Sequence, residues 1–187
     1  MVSATDRTPT PGGTRIAVVD DDDCFVRWEA RQVIHERKLW HRTVHVMVID
    51  RLGRLIIQRR HRNKETYAGC WDISCSGHVE EGDYDGDPDH DLERVYEQTA
   101  RREVHEELGI SVAVRPLARF APAEGLHYEW LRLFRASSNG PFTPQATEVE
   151  ELRRVTEDEL ESMIAAGEPI TPTLEFFSRL ARARMWW

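Results

Sequence analysis

A short segment near the middle of the chain, residues 102–110 (REVHEELGI), would place three carboxylates on one face of a helix. Glu103, Glu106 and Glu107 are spaced at i, i+3 and i+4, and a rotation of about 100° per residue keeps such positions on one side. Like charges at this spacing repel each other and weaken an isolated helix. A hard divalent cation reverses that effect, because it needs several carboxylate oxygens around one point. The segment therefore predicts a metal site on a helix.

Carboxylate pairs on exposed helices are common without a metal. The residues before this helix, however, strengthen the interpretation as a metal site. Residues 77–83 (GHVEEGD) form a glycine-bracketed loop that follows a strand candidate. Such a loop can bring backbone carbonyls and amides next to the acidic face. Arg102, directly before the first of the three carboxylates, can bind one of them and fix its orientation.

These residues resemble the signature of the Nudix family, G-x5-E-x7-R-E-U-x-E-E-x-G-U, in which U is a bulky apolar residue. The second half matches in full from Arg102 to Ile110, and Gly77 matches the first position. Asp83 stands where the family has Glu. Eighteen residues, 84–101, then precede Arg102 where the family usually has seven, so the chain carries an acidic insertion at about residues 84–94. Loop insertions cost little free energy, so we expect the helix face to be intact and the insertion to be a solvated loop.

A second resemblance covers more of the chain and concerns the branch of the family related to isopentenyl-diphosphate isomerases. It rests on residues 39–42 (LWHR), residues 55–59, Lys64, Gly69, Trp71 and the pair Gly77-His78. Together the two resemblances span roughly residues 15–155. They imply an α/β fold, the Nudix α/β/α sandwich with a mixed β-sheet, in a single domain of residues 14–187 with its box at 77–110. Residues 1–13 are small, polar and Pro/Gly-bearing, and we expect them to be a flexible lead.

The local patterns predict where strands and helices lie. A hairpin is expected from residue 15 to residue 28, and a charged stretch with a short helix follows at 29–38. Thr156 with Glu159 forms a capping box that opens one helix, and Thr171-Pro172 opens the last one. For the helix that carries the box, Asp87 and Pro88 predict the start and Gly109 predicts the end. Further strands are predicted at 43–50, 55–58, 71–74, 112–120, 128–136 and 149–155.

The Nudix resemblance implies roles for individual residues. Glu103, Glu106 and Glu107 would bind Mg²⁺ or Mn²⁺, the Gly77 carbonyl would be a further ligand, and Arg102 would orient the carboxylates. Glu103 is the first candidate for the general base, and Glu129, on a predicted strand, is the second. The candidates for contacts with the substrate are Arg59, Lys64 and His78. His41 and His45, on or before a strand, are interpreted as packed or exposed rather than liganding.

The resemblance implies hydrolysis of a diphosphate bond in a nucleoside diphosphate linked to another group. One alternative is an enzyme similar to isopentenyl-diphosphate isomerase, which needs Cys directly before the Gly-His pair. Ser76 is at that position and Cys75 is one residue early. Another alternative is a non-catalytic Nudix domain that binds a nucleotide, although such domains usually lose box carboxylates and all three are present here.

Composition limits the classes of partner that we expect this chain to bind. A net charge of −8 and the absence of a basic patch argue against nucleic acid, including capped RNA, as the substrate. No apolar run approaches the roughly 18 residues that span a membrane. Three cysteines without an export signal suggest free thiols in the cytoplasm. The terminal pair Trp186-Trp187 would be sticky if exposed, so we expect it to pack against the domain or against a second copy in a homodimer.

Overall fold

The protein is described by a computed structural model that covers residues 13–123 and 127–187. Residues 1–12, most of the predicted N-terminal lead, lie outside the described residues. The described chain forms a mixed β-sheet with helices on both faces, as the sequence predicted. The strands are β1 (Arg15–Val19), β2 (Phe25–Ala30), β3 (His41–Ile49), β4 (Leu55–Arg60), β5 (Trp71–Asp72), β6 (Cys75–His78), β7 (Val114–Phe120), β8 (Glu129–Ser137) and β9 (Val149–Val155).

Strand β3 organises the sheet because it pairs along both of its edges. It runs parallel to β8 over its whole length, from the pair His41–Glu129 to the pair Ile49–Ser137. It also pairs antiparallel with β1, β6 and β4 in turn. Strand β7 extends the sheet beyond β8, and β9 pairs with β4. The sheet is therefore mixed, and β6 lies beside the first half of β3.

Alternation along β3 sends side chains to two separate cores, because successive residues of a strand face opposite sides. Val44, Val46 and Val48 pack in one core with residues of helix α2 (Leu92–Leu108). Met47 and Ile49 pack in the other with residues of α3 (Glu157–Ala165) and α4 (Pro172–Arg184). The result is the α/β/α arrangement. A shorter helix, α1 (Arg31–Arg37), connects β2 to β3.

Helix α2 begins later than predicted. Its first residue is Leu92, preceded by Asp91 in a left-handed conformation, and not Pro88 after an Asp87 cap. The reason is a competing set of bonds: the Pro88 carbonyl accepts from Arg42 Nη1 at 2.7 Å, and the Asp89 carboxylate accepts from Arg42 Nη2 at 2.8 Å. The Pro88 carbonyl, which would accept from the N–H of residue 92 in a helix begun at Pro88, is thus engaged by Arg42. The predicted end at Gly109 is confirmed, with φ of 67°.

The acidic insertion is largely exposed, as the sequence suggested, but Pro88 and Asp89 anchor it to the domain. Asp89 also accepts from the Phe25 backbone N–H at 2.9 Å, so it joins the insertion to the β1–β2 hairpin. The Arg42 guanidinium that it binds is fully buried and is also paired with Asp23 at 2.8 Å. Asp85, by contrast, is 83% exposed.

The C-terminal elements match their sequence signals. Thr156 and Glu159 form the predicted capping box at α3, and the Thr171 hydroxyl caps α4 by accepting from the Leu174 N–H. Trp186 and Trp187 pack against the second core of their own chain, and Trp187 Nε1 donates to the Gly53 carbonyl at 2.7 Å. Among the described residues, no helix combines the length and the apolar character needed to cross a membrane.

Candidate functional site

Glu103 packs against strand β6 at Gly77, where the absence of a side chain leaves room for the Glu103 carboxylate. Helix α2 crosses β6, and a β-carbon on Gly77 would overlap the Glu103 carboxylate. Glu103 is only 8% exposed in this position. The first box carboxylate thus lies on the strand itself, and Gly77 is required by close approach rather than by an unusual backbone angle.

Glu107, one helical turn later, is equally buried and is oriented by a residue that the sequence did not identify. Gln58, at the end of the apolar run of β4, donates from Nε2 to Glu107 Oε2 at 2.6 Å and to the Ser74 carbonyl at 3.1 Å. A buried amide at the end of an otherwise apolar strand was the available signal. Gln58 therefore fixes the position of one carboxylate oxygen of Glu107.

Arg102 joins the loop before the helix to the acidic face. Its Nε and Nη2 donate to the two oxygens of Asp83 at 3.0 and 2.9 Å, a bidentate pair. Its Nη1 lies 2.9 Å from Glu103 Oε1 and 2.9 Å from Glu106 Oε2. Asp83, in place of the Glu of the family, is thus the main partner of the arginine, and the arginine links two of the three box carboxylates.

The buried carboxyl groups have unusual proton affinities. Burial raises the pKa of Glu103 to about 8; Arg102 opposes this shift, and Glu107 and Glu106 add to it. Burial also raises the pKa of Glu107 to about 7, against the Gln58 hydrogen bond and the charge of Lys64. Two neighbouring carboxyls that resist ionisation gain most from a bound cation, which stabilises both charged forms. The arrangement is suited to a divalent cation.

The predicted substrate contacts divide between two places. Lys64 is half-buried, forms an ion pair with Glu148, and is close enough to Glu107 and Glu103 for their charges to act on it. Burial lowers the pKa of Lys64. Arg59 lies farther out, where its Nε donates to the Gly69 carbonyl at 3.2 Å. Lys64 is therefore beside the box, and Arg59, on β4, binds the loop that contains Gly69.

Glu129 and His78 lie on the other side of the sheet from the box carboxylates. His78 pairs with Thr43 and Gly77 with Val44, so these neighbours face opposite sides. Glu129 accepts from Thr43 Oγ1 at 3.2 Å, on the side of His78. The structure thus does not bring the second candidate for the base, or the predicted His78 contact, to the acidic face of α2.

The positions relevant to an isomerase also separate by face. Cys75 is completely buried in the core beneath α2, where burial raises the pKa of its thiol well above the usual value. Ser76, directly before Gly77, pairs with His45 and shares the side that carries Glu129. A serine, and not a cysteine, therefore occupies the face on which the isomerase chemistry would need a thiol.

Comparison with known proteins gives a consistent result. A family model described as NUDIX domain matches residues 39–174. An uncharacterized Nudix hydrolase of Pseudomonas aeruginosa is 34% identical over 139 residues, which cover 74% of this chain and 76% of that protein. One from Yersinia pestis is 30% identical over 146 residues, covering 78% of this chain and 74% of that one.

Solved structures show the same fold. DR0079 from Deinococcus radiodurans matches with a TM-score of 0.74 and 25% identity over 88% of this chain and 97% of its own. The NUDIX domain of Shewanella oneidensis NrtR, solved in complex with ADP ribose, matches with a TM-score of 0.56 and 16% identity, over 76% of this chain and 86% of its own.

Proposed function

This chain belongs to the Nudix family and is a Nudix pyrophosphohydrolase, and we propose that it hydrolyses, with a divalent cation, the diphosphate bond of a nucleoside diphosphate linked to another group. The observation that carries the proposal is the convergence of Glu103 and Glu106 on Arg102, with Glu107 held one turn away by Gln58. ADP ribose, which is bound in the solved structure of one structural neighbour, is a nucleoside diphosphate linked to another group.

The residues present fit Mg²⁺ or Mn²⁺. Carboxylate oxygens are the donors that these hard cations prefer, and Glu103, Glu106 and Glu107 are the proposed ligands, with the Gly77 carbonyl as a further one. The space that the missing Gly77 side chain leaves for the Glu103 carboxylate supports this assignment. When bound, the cation would neutralise diphosphate charge and polarise phosphorus.

The chain's own groups would do the remaining work. Glu103 is the proposed general base, because it is the first carboxylate of the box and lies buried against Gly77. Because Arg102 engages Oε1, Oε2 is the proposed acceptor. Arg102 and Glu106 would keep the carboxylates oriented, and Lys64, near the box, would contact a phosphate oxygen. Arg59 would extend that contact toward the loop. The cytoplasmic location and the homodimer stay predictions from the sequence.

A metal-dependent activity screen tests the proposal. The purified protein is assayed with Mg²⁺ or Mn²⁺ on nucleoside diphosphates, dinucleotides, nucleotide sugars and prenyl diphosphates. We expect activity on a nucleoside diphosphate linked to a second group, and a loss of roughly 10²- to 10⁴-fold in kcat for Glu103→Gln. Glu107→Gln should lose activity mainly through metal affinity, so added Mn²⁺ should restore part of it.

The matched control is Glu97→Gln, on the same helix, where the side chain is 41% exposed and pairs only with Arg101 among the contacts described. It should keep the wild-type rate. A wild type without activity on the whole panel, or full activity in Glu107→Gln, would contradict the proposal. Activity confined to prenyl diphosphates without phosphate release would instead support the isomerase alternative.

A further inference from the structure

A second group of metal-ligating side chains lies on the face of the sheet opposite the box. His41 of β3, His78 of β6 and Glu129 of β8 each offer one ligand atom, and these atoms all lie within 4.8 Å of one another. His41 Nε2 lies 3.8 Å from Glu129 Oε1. The three residues come from adjacent strands, so the sheet pairing itself brings them together.

Each of the two imidazoles in this group has a buried nitrogen without a hydrogen-bond partner in the described part of the chain. Neither His41 Nε2 nor His78 Nε2 has a hydrogen-bond partner among residues 13–123 and 127–187, and the same holds for Nδ1 of the adjacent His45. A buried polar group without a partner destabilises the folded state, because it has lost its bonds to water and gained none in return. Two such atoms, one from His41 and one from His78, lie in the group with the Glu129 carboxylate, which is unfavourable for packing alone. A cation that accepts the lone pairs would remove the cost.

The orientation of His41 favours a ligand role. Its Nδ1 lies 2.8 Å from the Leu39 carbonyl, so that nitrogen is the one that carries the hydrogen and Nε2 keeps the lone pair. A backbone carbonyl that fixes the tautomer in this way is a recurring partner of metal-bound histidine. The His78 ring is stacked on the His41 ring, with centroids 5.1 Å apart.

The charge state also suits a cation. Coordination needs a neutral imidazole, and burial lowers the pKa of His41 and so favours that form. Two neutral imidazoles and one carboxylate would offer a cation a single negative charge.

We propose that His41 Nε2, His78 Nε2 and the Glu129 carboxylate form a second cation site, specific for a borderline divalent transition metal such as Zn²⁺. Imidazole nitrogen with one carboxylate is a ligand set that selects such ions over Mg²⁺, which prefers oxygen. Donors around Zn²⁺ stand about 3.4 Å apart in a tetrahedral site, given bonds of about 2.1 Å, so modest ring movements would close the site. His35 and His45 add two further imidazoles at its border.

The site would be distinct from the box but connected to it through strand β6. Gly77, which accommodates the Glu103 carboxylate, and His78 are consecutive residues of β6 that face opposite sides. A cation that fixes His78 would therefore also fix the strand against which the first box carboxylate lies. The proposal does not depend on the proposed hydrolase activity, because it is tested by metal binding.

The test is a titration of the full-length, chelator-treated protein with Co²⁺, and separately with Zn²⁺, in the presence of saturating Mg²⁺ to fill the box. We expect one equivalent to bind and the Co²⁺ d–d absorption to report nitrogen ligands. His78→Gln and His41→Gln should each weaken binding by roughly 10- to 100-fold or more. Glu107→Gln, in the box, and His90→Gln, on the exposed part of the insertion, should bind as the wild type does.

Circular dichroism and thermal melting establish that each variant is folded. Because His41 and His78 lie on different strands, one variant still decides if the other fails to fold, and Zn²⁺ should raise the melting temperature of the wild type in excess Mg²⁺. The proposal is overturned if the wild type binds no Co²⁺ or Zn²⁺ under these conditions. It is also overturned if both histidine variants bind as tightly as the wild type, or if Glu107→Gln abolishes the binding.

Discussion

The Glu103 carboxylate fills the space beside Gly77 in which any other residue would carry its β-carbon. The contact explains why a glycine precedes the acidic helix in this chain. Without it, the first carboxylate could not reach the strand, and the acidic face would be displaced from the sheet.

Gly77→Ala should destabilise the protein and reduce metal-dependent activity. The added methyl group overlaps the Glu103 carboxylate, and overpacking of this kind costs about 1–3 kcal/mol. Denaturant unfolding and kcat are the measurements. In a Glu103→Ala background the same change should cost much less stability, because its obstacle is gone. Equal costs in the two backgrounds would show that the clash is not the cause.

Gln58→Met should weaken binding of Mg²⁺ or Mn²⁺ by roughly 10-fold or more while leaving the fold intact. The substitution keeps side-chain volume but removes the donor that fixes Glu107 Oε2, and partners of metal ligands typically contribute this much. Calorimetric titration with Mn²⁺ gives the affinity. Gln98→Met, on the exposed face of the same helix as Glu107, is the control. Unchanged affinity in Gln58→Met would refute an orienting role.

The metal-free protein should lose stability as the pH rises from 5 to 9. Glu103 and Glu107 have folded pKa values of about 8 and about 7, both above the unfolded value of 4.5. Their contribution is therefore complete below pH 4.5 and is lost as the pH rises through 7 to 8, because the unfolded chain ionises first. A difference of one between the folded and unfolded pKa of a group corresponds to about 1.4 kcal/mol, so a loss of at least about 1 kcal/mol is expected.

Urea unfolding in a chelator at several pH values measures this loss. Glu103→Gln should flatten the profile, and Glu97→Gln should not. Saturating Mg²⁺ should reverse the trend, since deprotonated carboxylates bind the cation more tightly. A wild-type profile with the same slope as that of Glu103→Gln would show that burial does not raise the pKa of Glu103.

Asp89→Ala should destabilise the protein by about 1–3 kcal/mol although the residue lies in an insertion. Its loss leaves the buried Arg42 guanidinium and the Phe25 N–H without a partner that they now share. Asp85→Ala, in the same insertion but largely exposed, should change stability by less than about 0.5 kcal/mol. Thermal or urea unfolding separates the two. Equal small effects would show that Asp89 does not anchor the insertion to the domain.

The sequence by itself determined the features that depend on local spacing. The three box carboxylates, the capping box of α3 and the end of α2 at Gly109 follow from neighbours a few residues apart, and the structure has each helix and cap accordingly. The predicted start of α2 was wrong, because the side chain of Arg42, a residue distant in sequence, donates to the Pro88 carbonyl. No local pattern contains that competition.

Only the tertiary structure decided which distant side chains meet. Gln58 reaches Glu107, and His41, His78 and Glu129 converge, because strand pairing places them on particular faces. A shift of one residue in register would reverse every face, and the sequence does not specify the register between strands so far apart. For the same reason Glu129, a plausible base from sequence, lies on the side of the sheet away from the acidic helix.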